Sequence, residues 1–254
     1  MPHLPLRVPF LLTMALTAAV SAQQNEKGQT PDQPTADYTL AAEVFVEGVR
    51  GPWSIAFIDP SRALITEKSG PVRMVVDGTL QSEPVRGTPA VNSGGQGGMM
   101  DVAIHPDYAA NGWIYLSYSH SPDDATKGPA MTRIVRGKIR DNTWVDQEVV
   151  WEAKGDHYRN GPVHFGCRIV FDKAGHLYFA IGDRGAQTMA QDVTVPNGKV
   201  HRINLDGSIP ADNPFVKQND AYASIFSYGN RNPQGLAIDP KTDKLWATEH
   251  GPMG

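Results

Sequence analysis

The chain has 254 residues, of which 40% are hydrophobic, and it contains 25 glycines and 20 prolines. This length and apolar fraction allow one large core, and so much Gly and Pro favours many short strands joined by turns over a helical protein. A net charge of −4 gives no basic surface for a polyanion, which argues against a nucleic-acid partner. Because Cys167 is the single cysteine, no disulfide can form within the chain, and its apolar neighbours predict a buried thiol.

The N-terminus predicts export. Arg7 precedes an uncharged run at residues 8–20, and Val20, Ser21 and Ala22 supply small residues for cleavage near Ala22. These features are typical of a secretory signal peptide (1–22), and no second apolar run predicts a membrane span. Residues 23–36 are polar and contain proline, so we predict a disordered leader there and a folded domain at 37–254. The expected location is the periplasm or the outside of the cell.

A repeated pair of apolar segments follows the leader. Each copy reads as a strand, a turn with Pro or Gly, and a second strand, and the four copies span residues 53–67, 100–117, 168–180 and 235–248. When the copies are superposed, one column holds Ala56, Ala103, Val170 and Ala237. Further strand candidates fill the intervals, and no helical periodicity extends beyond two turns. The pattern predicts an all-β fold, a β-propeller, with a β-sandwich as the alternative.

Polar side chains occupy the loops before the second, third and fourth copies. These loops span residues 92–98, 160–166 and 228–234. In a propeller, the loop before each inner strand lies at the central axis, so Gln96, His164, Arg231 and Asn232 are predicted to surround one pocket. His164 is then either a general base, since imidazole titrates near neutral pH, or a structural histidine.

The remaining histidines do not indicate a metal site. His105 occupies the turn position that Asp59 and Asp239 hold in other copies, which predicts a structural role. Four others have neither clustered Cys or carboxylate partners nor the spacing of a zinc site; they are His120, His157, His176 and His201.

Two short motifs each allow two interpretations. Gly182-Asp-Arg-Gly185 ends the third copy, and we expect Asp183 and Arg184 to pair with each other in a structural role. Gly251-Pro252 follows the fourth copy. An extended Gly-Pro segment can point successive backbone oxygens at a hard cation such as calcium, and an ordinary loop is the alternative.

Six short motifs in register resemble one family, the pyrroloquinoline-quinone (PQQ)-dependent aldose dehydrogenases of the glucose/sorbosone dehydrogenase type. They are Gly-Gly-Gln-Gly-Gly at 94–98 with Ala-Ile-His-Pro at 103–106, His-Phe-Gly-Cys-Arg at 164–168, Gly-Asp-Arg-Gly at 182–185, Asp-Asn-Pro-Phe at 212–215, Tyr-Gly-Asn-Arg-Asn-Pro-Gln-Gly at 228–235 and Glu-His-Gly-Pro at 249–252. The resemblance covers the chain after its leader. It implies an exported six-bladed β-propeller that oxidises the C1 hydroxyl of aldose sugars to lactones.

The resemblance also implies roles for single residues. His164 matches the catalytic base, and Arg231 matches the cation beside the reacting carbonyl of PQQ. Asn232 matches a cofactor contact, and Gln96 a sugar contact. The backbone oxygens of Gly251 and Pro252 match calcium ligands. The reduced cofactor of this family needs an external electron acceptor.

Two departures from the family pattern matter. Val163 stands before the base where glucose-oxidising relatives have an acidic residue, so the preferred sugar is open. About four blades are predicted where the family has six, so we expect a C-terminally truncated fragment that is inactive when isolated, with an exposed sheet face and edge. The alternatives are a calcium-dependent propeller lactonase or other hydrolase, and a non-catalytic binding propeller. The sequence does not predict an oligomeric state.

Overall fold

A computed structural model describes residues 42–251. The predicted signal peptide and leader, and Pro252 of the predicted calcium site, lie outside the described residues. The described residues from Val44 onward group by their contacts into one compact unit, and the strands below belong to it.

The described residues form three four-stranded antiparallel sheets and one two-stranded sheet. The first sheet contains β1 (Pro52–Asp59), β2 (Arg62–Glu67), β3 (Val72–Val76) and β4 (Thr79–Leu80), and the second contains β5 (Met99–Ile104), β6 (Ile114–His120), β7 (Met131–Arg140) and β8 (Thr143–Trp151). The third contains β9 (Ile169–Phe171), β10 (His176–Ile181), β11 (Lys199–Asn204) and β12 (Ile225–Tyr228), and the last contains β13 (Pro233–Ile238) and β14 (Leu245–Glu249). The only α-helix among residues 42–251 is α1 (Tyr108–Asn111), with 3₁₀ turns at Gly155–His157 and Gln187–Ala190.

The sheets are arranged as propeller blades. Within each sheet, strands that follow one another in the chain lie side by side. The first strands of the sheets contact one another in order, β1 with β5, β5 with β9, and β9 with β13. The superposed column lies on these first strands, each member facing the second strand of its own sheet, as in the pairs Ala56 with Leu64 and Val170 with Tyr178. The prediction of an all-β propeller with about four blades is confirmed.

A short polar turn closes the first hairpin of the first blade, between β1 and β2. Oδ1 of Asp59 accepts hydrogen bonds from the backbone N–H groups of Ser61 and Arg62, at 2.9 Å each. Asp residues accept such bonds readily, because their short side chain reaches the backbone two residues on. Tight turns of this kind bring each second strand back against the first and fix the register. In the third blade, the prediction that His176 has no carboxylate partner is wrong, because its Nδ1 lies 2.8 Å from Oδ2 of Asp172.

One buried carboxylate ties three inner strands together. Oδ1 of Asp101, on β5, accepts hydrogen bonds from Ser54 Oγ at 2.5 Å and from Arg168 Nη1 at 2.7 Å. Oδ2 accepts from the backbone N–H of Ile169 at 2.7 Å. Burial raises the pKa of Asp101, and the Arg168 guanidinium acts in the opposite direction. The bonds join β1, β5 and the start of β9. They therefore fix the positions of the loops next to these strands relative to one another.

The core beneath the third blade is apolar and closely packed. In β10, every residue from Leu177 to Ile181 is buried. Phe179 is fully buried and stacks on His201, with 4.9 Å between the ring centroids. Removing a side chain of this size from water contributes about 1.5–3 kcal/mol to folding. The loop that follows β10 is therefore anchored on a rigid strand.

The first and last sheets expose large apolar side chains. Phe57 on β1 is 56% exposed and Trp246 on β14 is 65% exposed. Among residues 42–251, no helix has both the length and the apolar character needed to cross a membrane.

Candidate functional site

His164 lies on a strained loop between β8 and β9. Its φ is 58°, and the φ of Cys167 is 89°, both in the left-handed region that non-glycine residues seldom adopt. Gly166 shares this conformation at φ 66°, and a Cβ there would lie 2.7 Å from the Ala180 carbonyl oxygen. Non-glycine residues in such conformations persist only where the surroundings over-determine them, and they cluster at functional sites.

Two axial loops from other blades hold this loop. Gln96 Oε1 accepts a hydrogen bond from the backbone N–H of His164 at 2.8 Å. Asn232 Oδ1 accepts one from the backbone N–H of Gly166 at 3.2 Å. The predicted convergence of the loops at 92–98, 160–166 and 228–234 is therefore observed directly.

The imidazole of His164 is paired with a buried carboxylate. Its Nδ1 lies 2.5 Å from Oδ1 of Asp183, and only 8% of His164 and 1% of Asp183 are exposed. The same oxygen accepts a hydrogen bond from the backbone N–H of Gly185 at 2.8 Å. A neutral imidazole that donates Nδ1–H to this carboxylate has its lone pair on Nε2, which is the arrangement that a general base needs.

The expectation that Asp183 pairs with Arg184 is wrong. Asp183 contacts His164, whereas the Arg184 guanidinium points the other way and donates to backbone carbonyls. Neighbouring residues of an extended or turning backbone project in different directions, which separates the two charges. Burial lowers the pKa of Arg184 to about 9, so its guanidinium stays protonated at neutral pH.

Arg231 reaches the same site from the loop before β13. Its carbonyl oxygen accepts a hydrogen bond from the backbone N–H of Asp183 at 2.7 Å. Its own N–H donates to Glu249 Oε2 at 3.0 Å, and its Nη1 donates to the His250 carbonyl at 2.9 Å. Within residues 42–251, the Arg231 guanidinium contacts no carboxylate, and the residue is only half-buried. The cation is therefore available to a ligand.

Gly182 marks the point where the loops meet. A Cβ at this position would lie 2.5 Å from the His164 carbonyl oxygen and 2.8 Å from the Arg231 carbonyl oxygen. It would also lie 2.8 Å from the His164 Cβ. Because only glycine leaves room for both backbones, the sequence at 182 allows His164 and Arg231 to approach each other.

The predicted site residues Asn232 and Gln96 both contact the His164 loop. Asn232 is 2% exposed, and its carbonyl accepts from the backbone N–H of His250 at 3.1 Å. Its side-chain oxygen binds Gly166, so Asn232 links the loop before β13 to the His164 loop. Gln96 lies against the same loop. The side-chain nitrogens of Asn232 and Gln96 make no hydrogen bond within the described part of the chain. The predicted cofactor contact of Asn232 and the predicted sugar contact of Gln96 therefore stay predictions.

Gly251 is the last described residue of the predicted calcium site. It directly follows His250, whose carbonyl binds Arg231, so it lies next to the site. Between residues 42 and 251, no group of three or more His, Cys, Asp or Glu side chains is arranged to hold a metal. The predicted calcium ligands are backbone oxygens, those of Gly251 and Pro252, and this prediction does not require such a group of side chains.

A cavity of about 210 Å³ opens beside Asp183. Of the four residues predicted to surround one pocket, Gln96, His164, Arg231 and Asn232, only Arg231 lines this cavity. It is lined by Asp183, Gln187, Ala190, Gln191, Gly229, Arg231 and Glu249. A buried cation holds part of its wall, because Lys199 Nζ donates to the carbonyls of Met189, at 2.8 Å, and Ala190, at 3.1 Å. Burial lowers the pKa of Lys199 to about 8.

A larger cavity, of about 770 Å³, lies at the opposite ends of β1 and β5. Some of its polar groups already have partners, since Arg62 pairs with Asp59 and His105 accepts from the backbone N–H of Asp107. We place the functional site at His164 instead, because loops from three blades meet there.

Asp183 is the residue that sequence reasoning missed. Because β10 runs antiparallel to β9, the residues just after β10 lie at the same end of the sheet as those just before β9. That pairing, applied to residues 164 and 183, would have placed the carboxylate beside the imidazole.

Comparison with known proteins identifies the family. The glucose/sorbosone dehydrogenase family model matches residues 49–254. The aldose sugar dehydrogenase YliI of Escherichia coli is 40% identical over 225 residues, which cover 86% of this chain and 58% of YliI.

Two solved structures are similar throughout the described fold. The aldose sugar dehydrogenase of Escherichia coli in its apo form has a TM-score of 0.77 at 39% identity, with 84% of this chain and 60% of that chain covered. The PQQ-bound aldose sugar dehydrogenase of Streptomyces coelicolor has a TM-score of 0.67 at 28% identity, with 82% and 59% covered. The chain thus spans about three fifths of the length of these relatives. With a family model that matches residues 49–254, well over half of its length, the chain belongs to the glucose/sorbosone dehydrogenase family.

Proposed function

We propose that this chain carries the base-bearing part of an exported PQQ-dependent aldose dehydrogenase, which oxidises the C1 hydroxyl of aldose sugars to lactones. The single observation that carries the proposal is the contact of His164 Nδ1 with the buried carboxylate of Asp183, in the same group of loops as the Arg231 guanidinium. The names of the relatives, aldose sugar dehydrogenases with one in a PQQ-bound form, support the substrate class and the cofactor. Export rests on residues 1–22, outside the described residues.

His164 is proposed as the general base. With Nδ1–H donated to Asp183, the lone pair of Nε2 is free to take the proton of the sugar C1 hydroxyl. The Asp183 carboxylate holds the ring and stabilises the imidazolium that forms. PQQ, when bound, would supply the carbonyl carbon that accepts the hydride from C1.

Arg231 and Asn232 are proposed to bind the cofactor. The Arg231 guanidinium and the Asn232 amide nitrogen are donors that fit the carboxylates and carbonyls of a quinone. A fixed cation beside the reacting carbonyl also stabilises negative charge that develops there. The cavity of about 210 Å³ is smaller than pockets that enclose a ligand of this size, roughly 300–1,000 Å³, so the described residues form one side of such a site.

The remaining parts of the proposal are Gln96 as a sugar contact, calcium on the backbone oxygens of Gly251 and Pro252, and an external electron acceptor. Calcium would orient and polarise the cofactor. Because its predicted ligands are backbone oxygens, removal of calcium by a chelator should weaken cofactor binding without altering the fold of residues 44–251.

The test is dye reduction by the protein expressed from its complete gene. The protein is titrated with PQQ and calcium while absorbance is followed, and a panel of aldoses is then added with an artificial electron acceptor. Aldose-dependent reduction that needs both additions would support the proposal. Absence of reduction with every aldose would reject it, and hydrolysis of lactones without the quinone would support the hydrolase alternative instead.

A further inference from the structure

Arg184 is a buried cation without a carboxylate partner among residues 42–251. It is 3% exposed, and its Nη1 donates to the Val163 carbonyl at 2.7 Å. Its Nη2 donates to the carbonyls of Gly161, at 2.9 Å, and Ala130, at 3.2 Å. Its Nε is buried and has no hydrogen-bond partner in the described structure. A buried charge of this kind is expensive, so its retention calls for a role that an apolar residue cannot fill.

The partners of Arg184 flank His164 on both sides. Val163, the residue before His164, supplies one carbonyl, and the ring of Phe165, the residue after it, lies 3.4 Å from the guanidinium. The Gly161 carbonyl extends the contact two residues further back. The planar guanidinium of Arg184 thus contacts residues on both sides of His164. Its bond to the Ala130 carbonyl also connects the His164 loop to the second blade.

The backbone at His164 needs such support. Its left-handed φ of 58° costs free energy, and a loop released from its partners would relax to a common conformation. Relaxation would turn the imidazole away from the carboxylate of Asp183. Consecutive residues therefore act on one histidine, Asp183 on its ring and Arg184 on its backbone.

We propose that Arg184 is a positioning residue for His164, which it holds against Asp183 by binding the backbone and ring of the flanking residues. The effect of Arg184 on catalysis rests on the proposed function, in which His164 is the base. Its effect on the position of His164 is independent of that function.

The first test is NMR of the protein with labelled histidine. A strong hydrogen bond from Nδ1 to a carboxylate gives a far-downfield proton, and the His164 signal among the 8 histidines is assigned with His164→Gln. Arg184→Met removes every donor but keeps the length of the side chain, and Arg184→Lys keeps the charge. We expect Arg184→Met to abolish the downfield signal and Arg184→Lys to restore it in part.

The matched control is Arg202→Met. Arg202 is also buried, at 8% exposure, stacks over Phe226 and donates to Asn213 at 2.6 Å, but it does not contact the His164 loop. The control should lower the melting temperature as much as Arg184→Met while it retains the downfield signal. Retention of the signal in Arg184→Met, or its equal loss in both variants, would overturn the proposal.

The second test is kinetic. Because misplacement of a catalytic group by about 1 Å can cost 10²-fold, Arg184→Met should lower kcat by roughly 10- to 100-fold with little change in KM. A loss of kcat no greater than that of Arg202→Met would contradict the positioning role. Should the unaltered protein oxidise no aldose, the proposed function fails, and the NMR result alone then decides the role of Arg184.

Discussion

The Nδ1 atom of His164, which precedes β9, lies 2.5 Å from Oδ1 of Asp183, which follows β10. Neither residue is more than 8% exposed. The carboxylate also accepts the backbone N–H of Gly185, and the Asp183 N–H donates to Arg231. The contact therefore links the imidazole, the third blade and the Arg231 loop into one unit.

Asp183→Asn tests this link. The amide can donate to Nδ1, which would move the proton of the imidazole to Nε2 and remove the free lone pair. We expect kcat to fall by roughly 10²-fold or more, since general-base catalysis contributes about that much. Asp192→Asn is the control, because Asp192 forms a surface turn with Thr194 in the same blade and is absent from the site. Equal kcat values for Asp183→Asn and Asp192→Asn would show that Asp183 does not assist His164.

Gly182→Ala tests the close approach of the two loops. The added methyl group would collide with the backbones of His164 and Arg231, so we expect a loss of about 1–3 kcal/mol in the free energy of unfolding together with weaker cofactor binding. Gly155→Ala is the matched control, because no atom lies within 4 Å of its Cβ position. Urea unfolding of both variants makes the comparison, and unchanged stability of Gly182→Ala would show that the loops lie further apart.

Asp101→Asn tests the joint between the inner strands. The change weakens the bonds to Ser54 and Arg168 and leaves the guanidinium without its counter-charge. Breaking a buried ion pair costs about 3 kcal/mol, and we expect a loss of that order in the free energy of unfolding. Asp146→Asn, which breaks an exposed pair with Arg140, should cost less than about 1 kcal/mol. Equal losses would mean that Asp101 does not tie the blades.

His201 predicts how stability depends on pH. Burial lowers its pKa from 6.5 to about 3, with Nε2 donating to the Pro196 carbonyl and Nδ1 within 3.0 Å of Ser224 Oγ. Between these two pKa values the unfolded chain binds a proton that the folded protein does not, so the folded state loses stability as the pH falls from about 6.5 to about 3.

The measurement for His201 is the free energy of unfolding against pH. As the pH falls from about 6.5 to about 3, its slope should be smaller in His201→Gln, by the amount that corresponds to about one bound proton. Glutamine keeps polar atoms at the site but does not titrate. An identical slope in both proteins would contradict the buried neutral histidine.

The repeats made the fold predictable. His105 Nδ1 accepts the backbone N–H of Asp107 at 2.8 Å, just as the Oδ1 atoms of Asp59 and Asp239 accept from residues two further on. The equivalence proposed from superposed sequences thus holds at the level of single atoms. Period-2 strands and turn residues encode such local geometry directly, because both depend on neighbours in the chain.

The partners of charged groups were harder to predict. Asp183 and Arg184 are neighbours in sequence, and proximity suggested a pair, yet each binds the His164 loop from a different side. Their partners depend on which way the chain turns after β10, and this is decided by the packing of three blades. Gln96 and Asn232 show the same limit, since their side-chain oxygens bind the backbone of the His164 loop.

The most direct test of the central claim compares the protein from its complete gene with His164→Gln, each loaded with PQQ and calcium. If His164 is the base held at the common centre of the loops, the variant should bind PQQ with unchanged affinity, while its rate of aldose-dependent dye reduction falls by about 10²–10⁴-fold. A loss of less than about tenfold with PQQ still bound would contradict the account.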